Sequence, residues 1–277
     1  MFGDFIYSEE VEDVSEKYNA PQKFEKAVKR FLVLAVIFIG GGLIWIFCIS
    51  PCMLPVKTEV HGIAGLSKAD ALSCADIAEG AVFVSINAAA AEEKLSGHYL
   101  VESAKVVKRF PDRLSIFLVP RRAVAIAIAN VNGRSLPVYF DRYGVAFKIG
   151  NNAGEAIPAG LPVISGVLND NLSLRLGMKA SAAYLPVFSR IGAISDEDPN
   201  IWRTISEIGI AKKGGDMFDL ILYPVHNPIK LRMGSDISKE NIYYALIMSD
   251  VYGQPGADNP VEIDVRSGLG VLIMEAN

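Results

Sequence analysis

Nineteen consecutive residues, Phe31 to Ile49 (FLVLAVIFIGGGLIWIFCI), carry no charge, and the uncharged stretch runs on to Val56 before Lys57. A helix needs about 20 apolar residues to cross the roughly 30 Å hydrocarbon core of a bilayer. Within lipid each backbone N–H and C=O must be satisfied internally, which for a single segment means a helix. The run therefore reads as one transmembrane helix over residues 31–50. No later segment is comparable, since the apolar run Ala123–Ala129 is only seven residues long. The run is also the main source of the chain's mean hydropathy of +0.30.

Orientation follows from the basic residues near the helix ends. Lys17, Lys23, Lys26, Lys29 and Arg30 precede the run, and only Lys57 and Lys68 lie in the twenty residues after it. This predicts a cytoplasmic tail over residues 1–30 and an exported C-terminal part. A cleaved signal peptide has a short n-region, a 7–15-residue apolar core and a small-x-small site. Here 30 residues precede the core, the core is longer, and Pro51-Cys52 follows it. Cys48 and Cys52 follow bulky Phe47 and Pro51, which argues against lipoprotein processing. An uncleaved signal anchor is the reading. The tail reads as disordered, with Gln22–Arg30 the stretch able to continue the membrane helix. Gly40-Gly41-Gly42 suits either a lipid-facing cluster or a close helix–helix contact.

Composition excludes several classes of function. The formal net charge is −4. Removing the five basic and seven acidic residues of the tail from 27 and 31 leaves an exported part with 22 and 24. With no basic excess, nucleic-acid binding is not expected. Cys74 is the only cysteine far from the membrane, so no intradomain disulfide is expected. Three histidines, His61, His98 and His226, have no second ligand at metal spacing. No G-x-S-x-G, G-x-x-x-x-G-K-[ST], H-E-x-x-H or S-x-x-K occurs. Cys74 reads as buried and inert, and Asp196-Glu197-Asp198 as a solvated loop. Asp264 and Arg266 read as a structural ion pair, and Arg121-Arg122 as solvated charge in preference to an anionic docking patch. The expectation is a protein without catalytic residues, metal or cofactor.

The exported part has two regions. The first, residues 56–122, reads β-α-α-β-β. Val56–Ile63 alternates, Ser67 is an N-cap, and Gly80 closes that helix as its C′ residue. Val82–Ile86 is an extended link, and Asn87 caps a second helix in which Ala88, Ala91 and Leu95 share a face, ended by Gly97. Val101–Phe110 and Arg113–Pro120 form a hairpin turning at Pro111-Asp112, with Leu114, Ile116 and Leu118 on one face. The second region, residues 123–277, is mostly β. Its strands are Ala123–Ala129, Leu136–Phe140, Val145–Ile149, Ile201–Ile210, Phe218–Tyr223, Ile229–Met233, Val261–Arg266 and Gly270–Met274. Two helices interrupt, Ser181–Ile191 and Ser238–Tyr252, the latter with Ser238 as N-cap and Ile242, Ala245, Leu246 and Ser249 spaced for burial. Asn169–Gly177 is ambiguous. The fold class is α+β: a single transmembrane helix, a β-α-α-β-β domain and a mostly antiparallel β domain.

Several segments carry a family likeness: Val101-Glu102-Ser103-Ala104-Lys105-Val106, then Phe110-Pro111-Asp112-Arg113-Leu114, then Arg121-Arg122-Ala123-Val124-Ala125. Further on come Phe140-Asp141-Arg142-Tyr143-Gly144-Val145-Ala146-Phe147, Leu161-Pro162-Val163-Ile164-Ser165-Gly166 and Ile263-Asp264-Val265-Arg266. In this order behind one signal anchor, the chain resembles the FtsQ/DivIB family of bacterial cell-division proteins, and its first exported domain resembles their POTRA domain. It departs from the family in having Arg121-Arg122 where a Glu-Arg pair is usual.

The resemblance implies a non-enzymatic, bitopic divisome scaffold of the cytoplasmic (inner) membrane, at the septum, that helps regulate septal peptidoglycan synthesis. It implies partners of the FtsB/DivIC and FtsL type, which are small membrane coiled-coil proteins, and other divisome proteins. The alternatives are a membrane-anchored cell-wall enzyme and a POTRA protein of outer-membrane assembly. Partner binding is expected by β-augmentation at an exposed sheet edge. Val261–Arg266 and Gly270–Met274 are expected to form that edge hairpin, turning at Ser267-Gly268, because the sequence stops three residues after Met274. By resemblance the binding residues fall at Ser267, Gly268 and Ile273.

Overall fold

The computed structural model describes residues 12–50, 53–62, 65–131, 133–150, 158, 160–168, 174–254 and 260–274. The tail acids Asp4, Glu9 and Glu10, together with Cys52 and residues 169–173 of the ambiguous stretch, lie outside them.

The apolar run forms the C-terminal half of helix α1, Glu12–Ile44, which continues into a π-helical turn at Trp45–Ile49. Within it, Phe24–Phe47 has a mean hydropathy of 2.3 and none of it is buried by the protein. It is long and apolar enough to cross a bilayer. The tail is thus helical from Glu12 onward, not disordered. Helix extension needs only one new hydrogen bond per residue once a nucleus exists, and the apolar segment supplies that nucleus. The Glu25–Lys29 pair, one turn apart at 2.7 Å, adds a small gain on the polar side.

Packing divides the chain into two compact units. One holds Met1–Glu59, Ala78–Ala88 and Val107–Ser115, and the other Val60–Ile77, Ala89–Val106 and Ile116–Asn277. The β-α-α-β-β order is β1 (Lys57–His61), α2 (Lys68–Cys74), α3 (Ala88–Ser96), β2 (Val101–Arg109) and β3 (Arg113–Pro120). The three strands make a sheet of order β1-β3-β2. Alternation along β3 puts Leu114, Ile116 and Leu118 in the core, and the helical spacing of α3 does the same for Ala91 and Leu95.

Ser67 caps α2 as expected, its hydroxyl accepting the Asp70 N–H at 3.1 Å. The other end differs from expectation, because α2 stops well before Gly80. Asp76 takes the left-handed conformation (φ 56°), and its N–H donates to Ser73 O while that of Ile77 donates to Leu72 O. This is a Schellman end with Asp in the place glycine usually holds. Aspartate tolerates that conformation better than most residues, and its carboxylate meets Lys94 Nζ at 2.6 Å. Val82–Ile86 is likewise not extended but holds a 3₁₀ turn at Phe83–Ser85.

The remaining strands are β4 (Ala125–Val131), β5 (Arg134–Phe140), β6 (Ala146–Ile149), β7 (Val163–Ser165), β8 (Ile205–Gly214), β9 (Met217–Pro224), β10 (Lys230–Met233), β11 (Glu262–Asp264) and β12 (Val271–Ile273). They form one sheet of order β12-β11-β10-β9-β8-β7-β4-β5-β6. Five of its pairings are antiparallel; β4–β7, β7–β8 and β10–β11 are parallel. Helices α4 (Leu185–Glu197) and α5 (Lys239–Tyr252) supply Val187, Phe188, Ile191, Ile242 and Ala245 to the core of this sheet. Phe188 stacks on Phe140 with centroids 5.0 Å apart. Strand β7 was not foreseen, and the expected strand Ile201–Ile210 begins as a 3₁₀ turn at Ile201–Arg203 that buries Trp202.

One glycine of the first sheet is irreplaceable. Gly62 leaves β1 at φ +71°, and a Cβ on it would sit 2.1 Å from the carbonyl oxygen of Leu118. Gly80 has a similar φ of +81° but open space around it. Gly62→Ala is expected to cost about 3 kcal/mol or more through backbone displacement and strain. Gly80→Ala is expected to cost about 1 kcal/mol. Urea unfolding of the full chain in detergent micelles measures both, and equal losses would refute the contrast.

Candidate partner-binding edge

Arg121 and Asp141 form a buried ion pair, with side chains 10% and 1% exposed. The Arg121 Nε–H also donates to Tyr99 O at 3.0 Å, and its main-chain N–H to Leu100 O at 3.1 Å. The second oxygen of Asp141 accepts the N–H groups of Tyr143 (3.0 Å) and Val145 (2.8 Å), which closes the turn between β5 and β6. Gly144 at φ +68° completes that turn, and a Cβ there would meet Leu185 at 2.6 Å. The Asp-Arg-Tyr-Gly segment is therefore a self-capped turn tied to the end of β3. Arg121 corrects the reading of Arg121-Arg122 as solvated charge: only Arg122 is exposed.

Two other readings change. Cys74 is half-buried and its thiol lies 3.6 Å from Lys94 O. Asp196 and Glu197 end α4 instead of forming a loop, and pair with Arg142 (2.6 Å) and Lys239 (3.0 Å). Asp198 accepts the Tyr243 hydroxyl, which holds its carboxyl below the usual range. Among the described residues no group of three or more His, Cys, Asp or Glu side chains is arranged to hold a metal ion.

The far end of the large sheet carries a second ion network. Asp219 on β9 is buried and meets Lys213 (2.8 Å), Arg232 (3.3 Å) and Arg266 (3.0 Å). Arg232 on β10 also grips Glu262 on β11, and Arg266 folds back onto Asp264. The register sets Arg232 beside Asp264, so the expected Asp264–Arg266 pair exists and is one part of a cross-strand belt. Burial opposes ionisation of Asp219, yet the hydrogen bonds from Lys213 and Arg232 and the charge of Arg266 outweigh it, and its carboxyl sits below the usual range. Asp264 is lowered mainly by its hydrogen bond from Arg266.

The belt stiffens the strands that carry the candidate site. β12 is the terminal strand, paired antiparallel with β11 on one side, and no described strand covers its other side. The connection is longer than the expected tight turn: Asp264 pairs with Val271, so Val265–Gly270 form a six-residue loop. Ser267 and Gly268 lie in that loop, with Gly268 at φ +77° and Ser267 Oγ donating to Leu269 O. Ile273 is exposed on β12, opposite Glu262. The Val261 N–H donates to Ile273 O at 2.9 Å, so strand alternation turns the N–H and C=O of Leu272 outward. Ser267, Gly268 and Ile273 thus share one exposed edge. Reading α5 only for its buried face left out Tyr244, Ile247 and Val251, which are exposed at helical spacing. A Cβ on Gly270 would lie 2.7 Å from Met248 and 3.7 Å from the Tyr244 hydroxyl, so α5 borders this edge.

One apolar helix long enough to cross a bilayer, a β-α-α-β-β sheet and a mixed sheet whose last described strand is paired on one side fit a single-pass membrane protein with a POTRA-type domain. Residues 56–121 match the POTRA domain of the FtsQ type. The chain is 32% identical over 136 residues to the cell division protein FtsQ of Mycobacteroides abscessus, covering 49% of this chain and 40% of that one. It is 29% identical over 137 residues to FtsQ of Mycobacterium tuberculosis, covering 50% and 40%. To FtsQ of Mycolicibacterium smegmatis it is 28% identical over 118 residues, covering 43% and 34%. The match thus spans well under half the length of these curated relatives. Over its POTRA-type segment and about half its length, the chain is thus similar to the FtsQ cell-division proteins.

Two measurements test the two ion clusters. Arg121→Met leaves a buried carboxylate without its partner and is expected to cost about 3–5 kcal/mol. Adding Asp141→Asn should return part of that loss, because the charge goes while the turn keeps an acceptor; additive losses in urea unfolding would contradict the pairing. Asp219 and Asp264 have depressed folded values, so their stabilisation is complete above the unfolded value near 4 and is lost as pH falls below it. Melting curves of Asp219→Asn should therefore show a shallower loss of Tm below about pH 4 than the unaltered chain.

Proposed function

We propose that this chain is a bitopic divisome scaffold, with its N-terminus in the cytoplasm and its POTRA and β domains exported. The domain limits of this reading are 1–30, 31–50, 56–122 and 123–277. It acts without catalytic chemistry, holding other septal membrane proteins and so helping to regulate septal peptidoglycan synthesis. The partners are FtsB/DivIC-like and FtsL-like membrane coiled-coil proteins, which add a strand along β12. The observation that carries this is the one-sided pairing of β12, held by the belt of Asp219, Arg232, Glu262 and Arg266. An added strand would take its affinity from main-chain hydrogen bonds to Leu272 and its specificity from the side chains beside it. Ser267 and Gly268 shape the approach, and Ile273 offers the apolar contact.

The test compares two changes at one position in the full chain. Leu272→Ala and Leu272→Pro both remove the side chain, but only proline removes the outward N–H. Proline is expected to weaken capture of an FtsB/DivIC-like partner about tenfold more than alanine. Near-UV circular dichroism would report whether the sheet is kept. Equal capture by the two folded variants would reject the edge-strand route.

A further inference from the structure

We propose that the tip of the POTRA-type domain, built from Leu54, Val84, Phe110 and the arginines Arg109 and Arg113, docks into the interfacial zone of an anionic bilayer. The inference rests on the reading of Phe24–Phe47 as a membrane span. The tip is a defined structure and not a loose loop. Pro55 bridges to Val82, the Val56 N–H donates to Ala81 O at 3.0 Å, and the Lys57 N–H donates to Asp112 O at 2.7 Å. These bonds gather the chain leaving the helix, the 3₁₀ turn at Phe83–Ser85 and the Phe110-Pro111-Asp112 turn. The Phe83 and Phe110 rings meet edge to face at 6.3 Å, with Lys108 Nζ 4.5 Å from the Phe83 centroid.

This tip exposes apolar side chains that a water-facing turn has no reason to carry. Val84 is 74% exposed, Phe110 61% and Leu54 55%. Arg109 and Arg113, both exposed, flank the Phe110 turn. Asp112, the acid in that turn, is engaged by Lys57 Nζ at 2.8 Å and also feels the charge of Arg113, so the turn sets two exposed arginines and a lysine against one carboxylate. Apolar groups bordered by basic ones match the boundary between acyl chains and anionic headgroups.

Chain length brings that boundary within reach. Ser50 is still helical and Pro55 already pairs with the tip. Five residues span at most about 17 Å when fully extended. The tip and the membrane helix also belong to one compact unit. A lipid surface is therefore the neighbour the tip meets at high effective concentration, ahead of any diffusing protein.

The experiment uses the full chain in nanodiscs, with Cys48, Cys52 and Cys74 replaced by Ser and a single environment-sensitive dye attached through Val84→Cys, Phe110→Cys or, as a water-facing reference, Met217→Cys. In nanodiscs of phosphatidylcholine with phosphatidylglycerol, iodide should quench the dyes at 84 and 110 at least about fivefold less than the dye at 217. High salt, or Arg109→Glu with Arg113→Glu, should bring quenching at 84 and 110 back toward the reference. Equal quenching at all three sites in anionic nanodiscs overturns the proposal. Protection that arises only when a second division protein is added also overturns it and assigns the tip to a protein partner. A chain that does not remain with the nanodisc overturns the membrane-span reading as well, which separates the two failures.

Discussion

Asp141 has almost no contact with solvent, and each of its oxygens is committed. One binds Arg121 from the end of β3; the other caps the turn that starts β6 through the amides of Tyr143 and Val145. A carboxylate this deep is tolerable only because charge and hydrogen bonds compensate for lost hydration together. The same turn brings Gly144 against Leu185 and Phe188 with no room for a side chain. The seating of α4 on the sheet therefore depends on the turn that Asp141 closes. Removing the cation would strand the anion, so the two residues are constrained as a pair although twenty positions separate them.

The two ends of the large sheet are treated differently. Beyond β6, the main chain of Gly144 and Ala146 is partly covered by the segment Gly177–Ala180. Beyond β12 no described segment offers a partner, and the exposed side chains there are Val271 and Ile273 instead of the lysines or prolines that usually blunt an edge. The ion belt lies just inside this edge, across β9, β10 and β11. It holds the parallel β10–β11 pairing, which joins two very short strands, in one register. An edge that is rigid and apolar suits strand addition, because little ordering cost remains at the moment of binding.

Much of the architecture is legible from patterns of local origin. The membrane segment needs only length and lack of charge. The N-caps Ser67 and Ser238 need only a hydroxyl three residues before an amide, and both bind as their spacing requires. The alternation of Leu114, Ile116 and Leu118 and the helical stripe of Ile242 and Ala245 follow from the periods of strand and helix. These features depend on neighbours a few residues away, so the sequence by itself determined them, along with the order of elements and the family likeness.

Other features required partners distant in the chain. Arg121 and Arg122 look alike in sequence, and only the proximity of Asp141 makes one buried and the other solvated. Asp76 ends α2 in place of Gly80 because the helix is short and Lys94 meets the aspartate. β7 is three residues long, and it is a strand because β4 and β8 both pair with it in parallel. The place of β12 at the end of the sheet is a property of strand order, which apolar alternation does not encode. Hydrophobic periodicity tells which face of an element is buried. Which elements become neighbours, and hence which carboxylate finds which cation and which strand is left with an open side, was decided only by the tertiary structure.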